Sequence, residues 1–143
     1  MAQSFVVLMV DDDPGDAGLV RAAVASGTYA CRFDHAGDGV VALERLRSDA
    51  SNGQRPDLIL LDINMPRKNG HLVLGEIKAD QTLCDIPVVM LTTSDAERDI
   101  AAAYRAGAAG YVTKPVDVDA LFAAIRSIQD YWFGVMRLPG RRP

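Results

Sequence analysis

Short apolar runs alternate along the chain with stretches whose apolar residues recur every three or four positions. Runs bounded by turn residues read as strands, and the longer periodic stretches as amphipathic helices. The first strand is predicted at Phe5–Val10. Its helix starts with Asp13 as N-cap and Pro14 at the first helical position, turning Ala17, Val20, Ala23 and Val24 inward. Cys31–Ala36 alternates Cys31, Phe33 and His35 with Arg32 and Asp34, as an edge strand with one solvated face would. Gly37-Asp38-Gly39 turns the chain into a helix carrying Val40, Val41, Leu43 and Leu46, and Ser51 to Pro56 form a loop.

The third strand, Leu58-Ile59-Leu60-Leu61, ends at Asp62; a helix follows from about Gly70 to Ala79, with Leu72, Leu74 and Ile77 among its apolar positions. A fourth strand spans Pro87 to Leu91, and Ser94 or Asp95 is expected to cap a helix through Ala101, Ala102 and Tyr104 that stops near Gly107. Gly110–Thr113 is a short, mixed strand suited to the other edge. The last helix begins near Asp117 and carries Leu121, Phe122, Ile125, Ile128, Trp132 and Met136 at helical spacing. Strand and helix alternating five times implies an α/β fold, a doubly wound (βα)5 arrangement around a mainly parallel sheet.

Composition narrows the class. A chain of 143 residues, 49% apolar, is most simply one globular unit. The net charge of −4 argues against non-specific binding to nucleic acid or anionic lipid, and the basic cluster Arg137, Arg141 and Arg142 reads as a solvated tail. No apolar run approaches the roughly 20 residues of a membrane helix, and Met1-Ala2-Gln3-Ser4 lacks signal-peptide character, so a cytoplasmic location is expected. Cys31 and Cys84 have no metal-type spacing and are expected to be reduced, packed thiols.

Asp62 carries the chemistry. A carboxylate beside a buried strand is costly to desolvate, so its place at a strand's carboxyl end marks a site. In open α/β sheets ligands bind beyond those ends, where the strand order reverses. Asp11 and Asp12 after the first strand, Thr92 after the fourth and Lys114 after the fifth fall at the same level. Acids from two strand ends with a lysine can take a metal and an anion together. Asp13 fits capping better than metal binding, and His35 and His71 read as ordinary edge and surface residues.

In register, Asp11-Asp12, Asp62, Thr92 and Lys114-Pro115 resemble the receiver domain of two-component response regulators over roughly residues 5 to 130. The stretches Leu61 to Gly70 and Ile86 to Ser94, with Asp130-Tyr131-Trp132-Phe133 and Arg137-Leu138-Pro139, are similar to the stand-alone regulators paired with bacterial phytochromes. The resemblance implies a flavodoxin-like sheet ordered 2-1-3-4-5, with residues 1–130 as receiver and 131–143 as an extension. It also implies that Asp62 accepts a phosphoryl group from a sensor histidine kinase, with a bacteriophytochrome as the narrower expectation. Mg²⁺ would be held by Asp12, Asp62 and the Asn64 carbonyl, with Asp11 bound mainly through water. Lys114 and Thr92 would contact phosphoryl oxygens, Thr92 and Tyr111 would form the switch, and a cis peptide before Pro115 would aim Lys114.

Past the receiver pattern, Tyr131, Trp132, Phe133, Val135, Met136 and Leu138 extend the apolar character. Such a surface suits a homodimer, formed with the face of the fourth helix, fifth strand and fifth helix; the competing reading folds the segment back on its own domain. Only about ten residues follow the pattern, too few for a further domain, so output is expected through protein contacts or phosphate relay. Two other functions stay open. One is a Mg²⁺-dependent phosphatase with an aspartyl-phosphate intermediate, disfavoured by Asn64 where such enzymes usually place a second acid. The other is a phosphate-independent binding scaffold.

Overall fold

Five parallel strands form one sheet in the computed structural model, ordered β2-β1-β3-β4-β5, with five helices over its faces. The structure describes residues 4–139; Arg141, Arg142 and Met1 to Gln3 lie outside them. The strands are β1 (Phe5–Val10), β2 (Cys31–Ala36), β3 (Leu58–Leu61), β4 (Val88–Thr92) and β5 (Gly110–Thr113). Between and after them run α1 (Pro14–Ala25), α2 (Gly39–Ser51), α3 (Gly70–Ala79), α4 (Glu97–Arg105) and α5 (Val118–Gln129).

The pleat sorts the apolar residues into two layers. Val7 and Met9 of β1 pack with Ala17, Val20 and Val24 of α1 and with Leu121 and Ile125 of α5. Leu8 and Val10 face the other way, toward Ala42, Leu43 and Leu46 of α2 and Val73, Leu74 and Ile77 of α3. β3 and β4 are buried on both sides, which is why they read as unbroken apolar runs rather than alternating ones. Each fully buried Leu or Ile contributes about 1.5–3 kcal/mol over its exposed state.

Local signals set the helix starts. Asp13 accepts hydrogen bonds from the N–H groups of Gly15 (2.8 Å) and Asp16 (3.3 Å), as expected of the N-cap before Pro14. Asp38, Asn69 and Asp117 cap α2, α3 and α5 in the same way. α4 differs: Ala96 sits at its N-cap without a side-chain bond, so neither Ser94 nor Asp95 caps it. Ser94 Oγ is engaged instead with Asp99, at 2.6 Å. Gly107, with φ of +104°, takes the left-handed conformation that ends the helix.

Two helical faces are rotated from the expected ones. Val41 is exposed while Ala42 is buried, and Leu72 is exposed while its neighbour Val73 is buried. Small or β-branched neighbours fit closest to the sheet in both cases. Of the cysteines, Cys31 is half-buried, but Cys84 is exposed rather than packed.

The carboxyl-terminal segment departs most from expectation. α5 ends at Gln129, and Asp130–Val135 continues as a π-helical segment, which turns the aromatic run relative to the α5 stripe. Phe133, assigned from sequence to a dimer contact, is instead buried against its own domain. It stacks on Phe5 at 4.2 Å between centroids and meets Tyr29 edge-on at 6.0 Å. Leu138 is buried in the same layer. Tyr131, Val135 and Met136 remain exposed, and Trp132 is half-buried, edge-on to Tyr131. Among the described residues, no helix is long and apolar enough to cross a membrane.

Candidate functional site

The site lies where β1 and β3, side by side in the sheet, release the chain toward opposite faces, with α1 on one side and α3 on the other. Asp11 extends the β1 ladder, its N–H donating to the Ala36 carbonyl at 3.1 Å, and Asp62 extends β3, its N–H donating to the Val10 carbonyl at 3.0 Å. Both side chains are thus fixed by backbone pairing rather than by a flexible loop. Asp11 is fully buried, Asp62 is buried, and Asp12 is exposed at the rim.

The carboxylates of Asp11, Asp12 and Asp62 each offer an oxygen within 4.8 Å of the others. Clustered hard oxygen donors of this kind suit a divalent cation of the Mg²⁺ or Mn²⁺ type. The three acids therefore fit the expected metal. Asn64 is exposed on the loop two residues after Asp62.

Lys114 enters from the opposite edge. Its N–H donates to the Thr92 carbonyl at 2.7 Å, which continues the β4–β5 ladder past Thr113 and points the side chain into the pocket. The ammonium then donates to Asp11 Oδ2 (2.6 Å), Asp16 Oδ2 (2.9 Å) and Asp62 Oδ2 (3.3 Å). Burial favours the neutral amine, but the bonds to Asp11 and Asp16 and the charges of Asp11 and Asp62 outweigh it and push the Lys114 pKa up. Its acid neighbours thus favour the ammonium form. Burial also raises the Asp11 carboxyl above its ordinary value, against the opposing pull of Lys114 and of the Asp13 N–H.

One expectation fails here. The peptide before Pro115 is trans, since the described residues contain no cis peptide. The ladder bond to Thr92 already aims Lys114, and trans is the ordinary state of X–Pro bonds by about 0.5–1 kcal/mol.

Behind the pocket stand the proposed switch residues. Thr92 is fully buried, and its Oγ1 accepts from the Ser94 N–H at 3.4 Å. Tyr111 is half-buried and donates its hydroxyl to the Ser94 carbonyl at 2.8 Å. Ser94 Oγ donates to Asp99 Oδ2 at 2.6 Å, and His71 Nε2 lies 3.0 Å from Asp99 Oδ1. The loop after β4 is therefore tied to Thr92, β5, α4 and α3 at once.

Several of these partners were missed in the sequence. His71 belongs to that network, and His35 is more than an edge residue: its Nε2–H donates to the Asp11 carbonyl at 2.6 Å, fixing the backbone of a site acid. Asp16 was not singled out at all, although an acid on the first turn after Asp11-Asp12 is a detectable signal. Gly70 is also part of the site's construction. A Cβ there would lie 2.1 Å from the Asp62 carbonyl oxygen, so only glycine lets α3 start so close to the strand end.

An acid trio with a half-buried lysine at the carboxyl edge of a doubly wound sheet defines a site for a divalent cation and an anionic group, the class of centre that handles phosphoryl groups. The family model of the response regulator receiver domain matches residues 7–126, and the chain belongs to that family. It is 38% identical to response regulator Rcp1 of Synechocystis, over 94% of this chain and 92% of that one. Among solved structures, the phosphorylated cyanobacterial phytochrome response regulator RcpA matches with a TM-score of 0.91 and 38% identity, over 96% of this chain and 100% of that one. The Mn²⁺-bound form of Rcp1 matches with a TM-score of 0.87 and 37% identity, over 95% of this chain and 99% of that one. The protein is a receiver-type response regulator, and the phosphatase alternative is not favoured.

Proposed function

We propose that Asp62 is the phosphoacceptor, and that the donor is the phosphohistidine of a sensor kinase. One observation carries this reading: Asp62 shares an oxygen cluster with Asp11 and Asp12 while its Oδ2 lies 3.3 Å from the Lys114 ammonium. In the transfer a carboxylate oxygen of Asp62 forms the new P–O bond and the P–N bond of the donor breaks, the imidazole taking a proton as it leaves. Phosphoryl transfer asks the protein mainly for in-line positioning and positive charge on the equatorial oxygens. Lys114 supplies such a charge, and the buried hydroxyl of Thr92 is a further donor.

Asp12, Asp62 and the Asn64 carbonyl would hold Mg²⁺, with Asp11 bound mainly through water. The ion would offset the mutual repulsion of the carboxylates and neutralise the incoming phosphoryl charge. Thr92 and Tyr111 then carry the change outward, since both are bonded to the loop at Ser94. The catalysis is limited to the protein's own phosphorylation and dephosphorylation.

A phytochrome kinase is the proposed partner, on the strength of the likeness to RcpA and Rcp1. We further infer a homodimer through the face of α4, β5 and α5, extended by residues 131–143. Exposed Tyr104, Tyr131, Val135 and Met136 support it. No nucleic-acid or membrane partner is proposed, and the proposed compartment is the cytoplasm.

The test is intact mass after incubation with acetyl phosphate, for wild type and Asp62→Asn, with Mg²⁺ or with excess chelator. A phosphoryl adduct on the wild type with Mg²⁺ alone is expected. An equal adduct on Asp62→Asn would remove Asp62 from its role, and an undiminished one under chelation would remove the metal.

A further inference from the structure

The functional reading uses two of the three carboxylates on Lys114. An ammonium has three N–H donors, and here they meet Asp11, Asp16 and Asp62. Asp11 and Asp62 also belong to the oxygen cluster; Asp16 does not. It stands on the first turn of α1, where its N–H is fixed by the Asp13 cap, and its side chain is 36% exposed.

We propose that Asp16 is a positioning residue that holds the Lys114 ammonium on the α1 side of the pocket. The inference rests on the reading of Asp62 as the phosphoacceptor beside a divalent cation. A lysine and a metal compete for the same carboxylate oxygens, and their like charges repel. Bonded to Asp11 and Asp62 alone, Lys114 would settle between them and oppose the metal. Asp16 gives it a charge-assisted bond outside the cluster: the ammonium lies 2.6 Å from Asp11 and 2.9 Å from Asp16, but 3.3 Å from Asp62, the proposed acceptor. The same anchor keeps Lys114 within reach of a phosphoryl oxygen once Asp62 Oδ2 no longer accepts from it.

A first-turn acid can also serve only to complement the helix dipole. That role affects helix stability and does not pass through Lys114, so the two are separable by a double-mutant cycle. Mg²⁺ alone is titrated calorimetrically into wild type, Asp16→Asn, Lys114→Met and the double variant. Asp16→Asn is expected to weaken Mg²⁺ binding by about tenfold, the lower end of the effect of partners that orient metal ligands. In the Lys114→Met background the same substitution should change it by less than about twofold. Asp16→Glu, which keeps the charge, should recover most of the loss.

Unchanged affinity in Asp16→Asn overturns the proposal. An equal loss in both backgrounds also overturns it, because the effect would then be the direct charge of Asp16 on the ion. Circular dichroism of each variant checks that folding is intact, and the exposure of Asp16 makes its substitution tolerable. Failure here leaves phosphorylation of Asp62 untouched. Failure of the Asp62 reading would show in the mass experiment, not in this cycle.

Discussion

Two regions of this molecule carry residues that sit awkwardly in the sequence: the acid pocket at the carboxyl edge of the sheet, and the aromatic segment after α5. They resolve differently. In the pocket Lys114 meets the buried acids Asp11 and Asp62, and the backbone ladders of β1, β3 and β5 aim the side chains. In the terminal segment the apolar residues divide, Phe133 and Leu138 entering their own domain while Tyr131, Val135 and Met136 stay outside. A charge at a strand end has few places to go. An apolar residue at a chain end has several.

The largest effect expected from breaking this comparison is at Lys114. Lys114→Met should slow phosphorylation by acetyl phosphate about 100-fold, as loss of a positioned donor does. It also leaves Asp11 and Asp62 buried without a cation, which should cost about 3 kcal/mol in urea unfolding without metal. Mg²⁺ should recover part of that loss. A variant equally stable with and without Mg²⁺ would mean that the acids do not bind it.

Next in size is Phe133→Ala, which should destabilise by about 3 kcal/mol because it empties the stack on Phe5. A change near zero would return Phe133 to the solvent side and favour the dimer reading for the whole segment. Thr92→Ala should leave an adduct on Asp62 but weaken phosphorylation-dependent association, read as solution mass with and without acetyl phosphate. Association that survives it would break the link from pocket to face. The smallest effect on folding is expected at Val135→Asp, within about 0.5 kcal/mol, because the side chain is 73% exposed. The same substitution should nevertheless lower the dimer fraction in sedimentation.

Most of the fold was legible because its signals are local. The cap and proline at Asp13-Pro14, the unbroken apolar run before Asp62 and the glycine at the start of α3 each decide their element within a few residues. The α4 cap was misjudged because Asp99 on the helix takes the Ser94 hydroxyl, and Ala96 stands at the N-cap. The terminal segment was misjudged because helical spacing assumed a continuous α-helix, whereas the π-helical turn at Asp130–Val135 shifts which residues face inward.

In the site, Asp11, Asp12, Asp62 and Lys114 were readable as strand-end residues that the topology must bring together. His35 and Asp99 were not, because they act on partners 24 and 28 positions away; Asp16 carries a local signal as a first-turn acid, but its partner Lys114 lies 98 positions on.

The central claim is that one carboxylate in this crowded pocket, that of Asp62, takes the phosphoryl group. Borohydride reduction of the acetyl-phosphate-treated protein, followed by peptide mass mapping, tests it most directly, because reduction converts an aspartyl phosphate into a stable homoserine. Homoserine at Asp62 alone is the predicted result. Homoserine at Asp11 or Asp12, with Asp62 unmodified, would contradict the account.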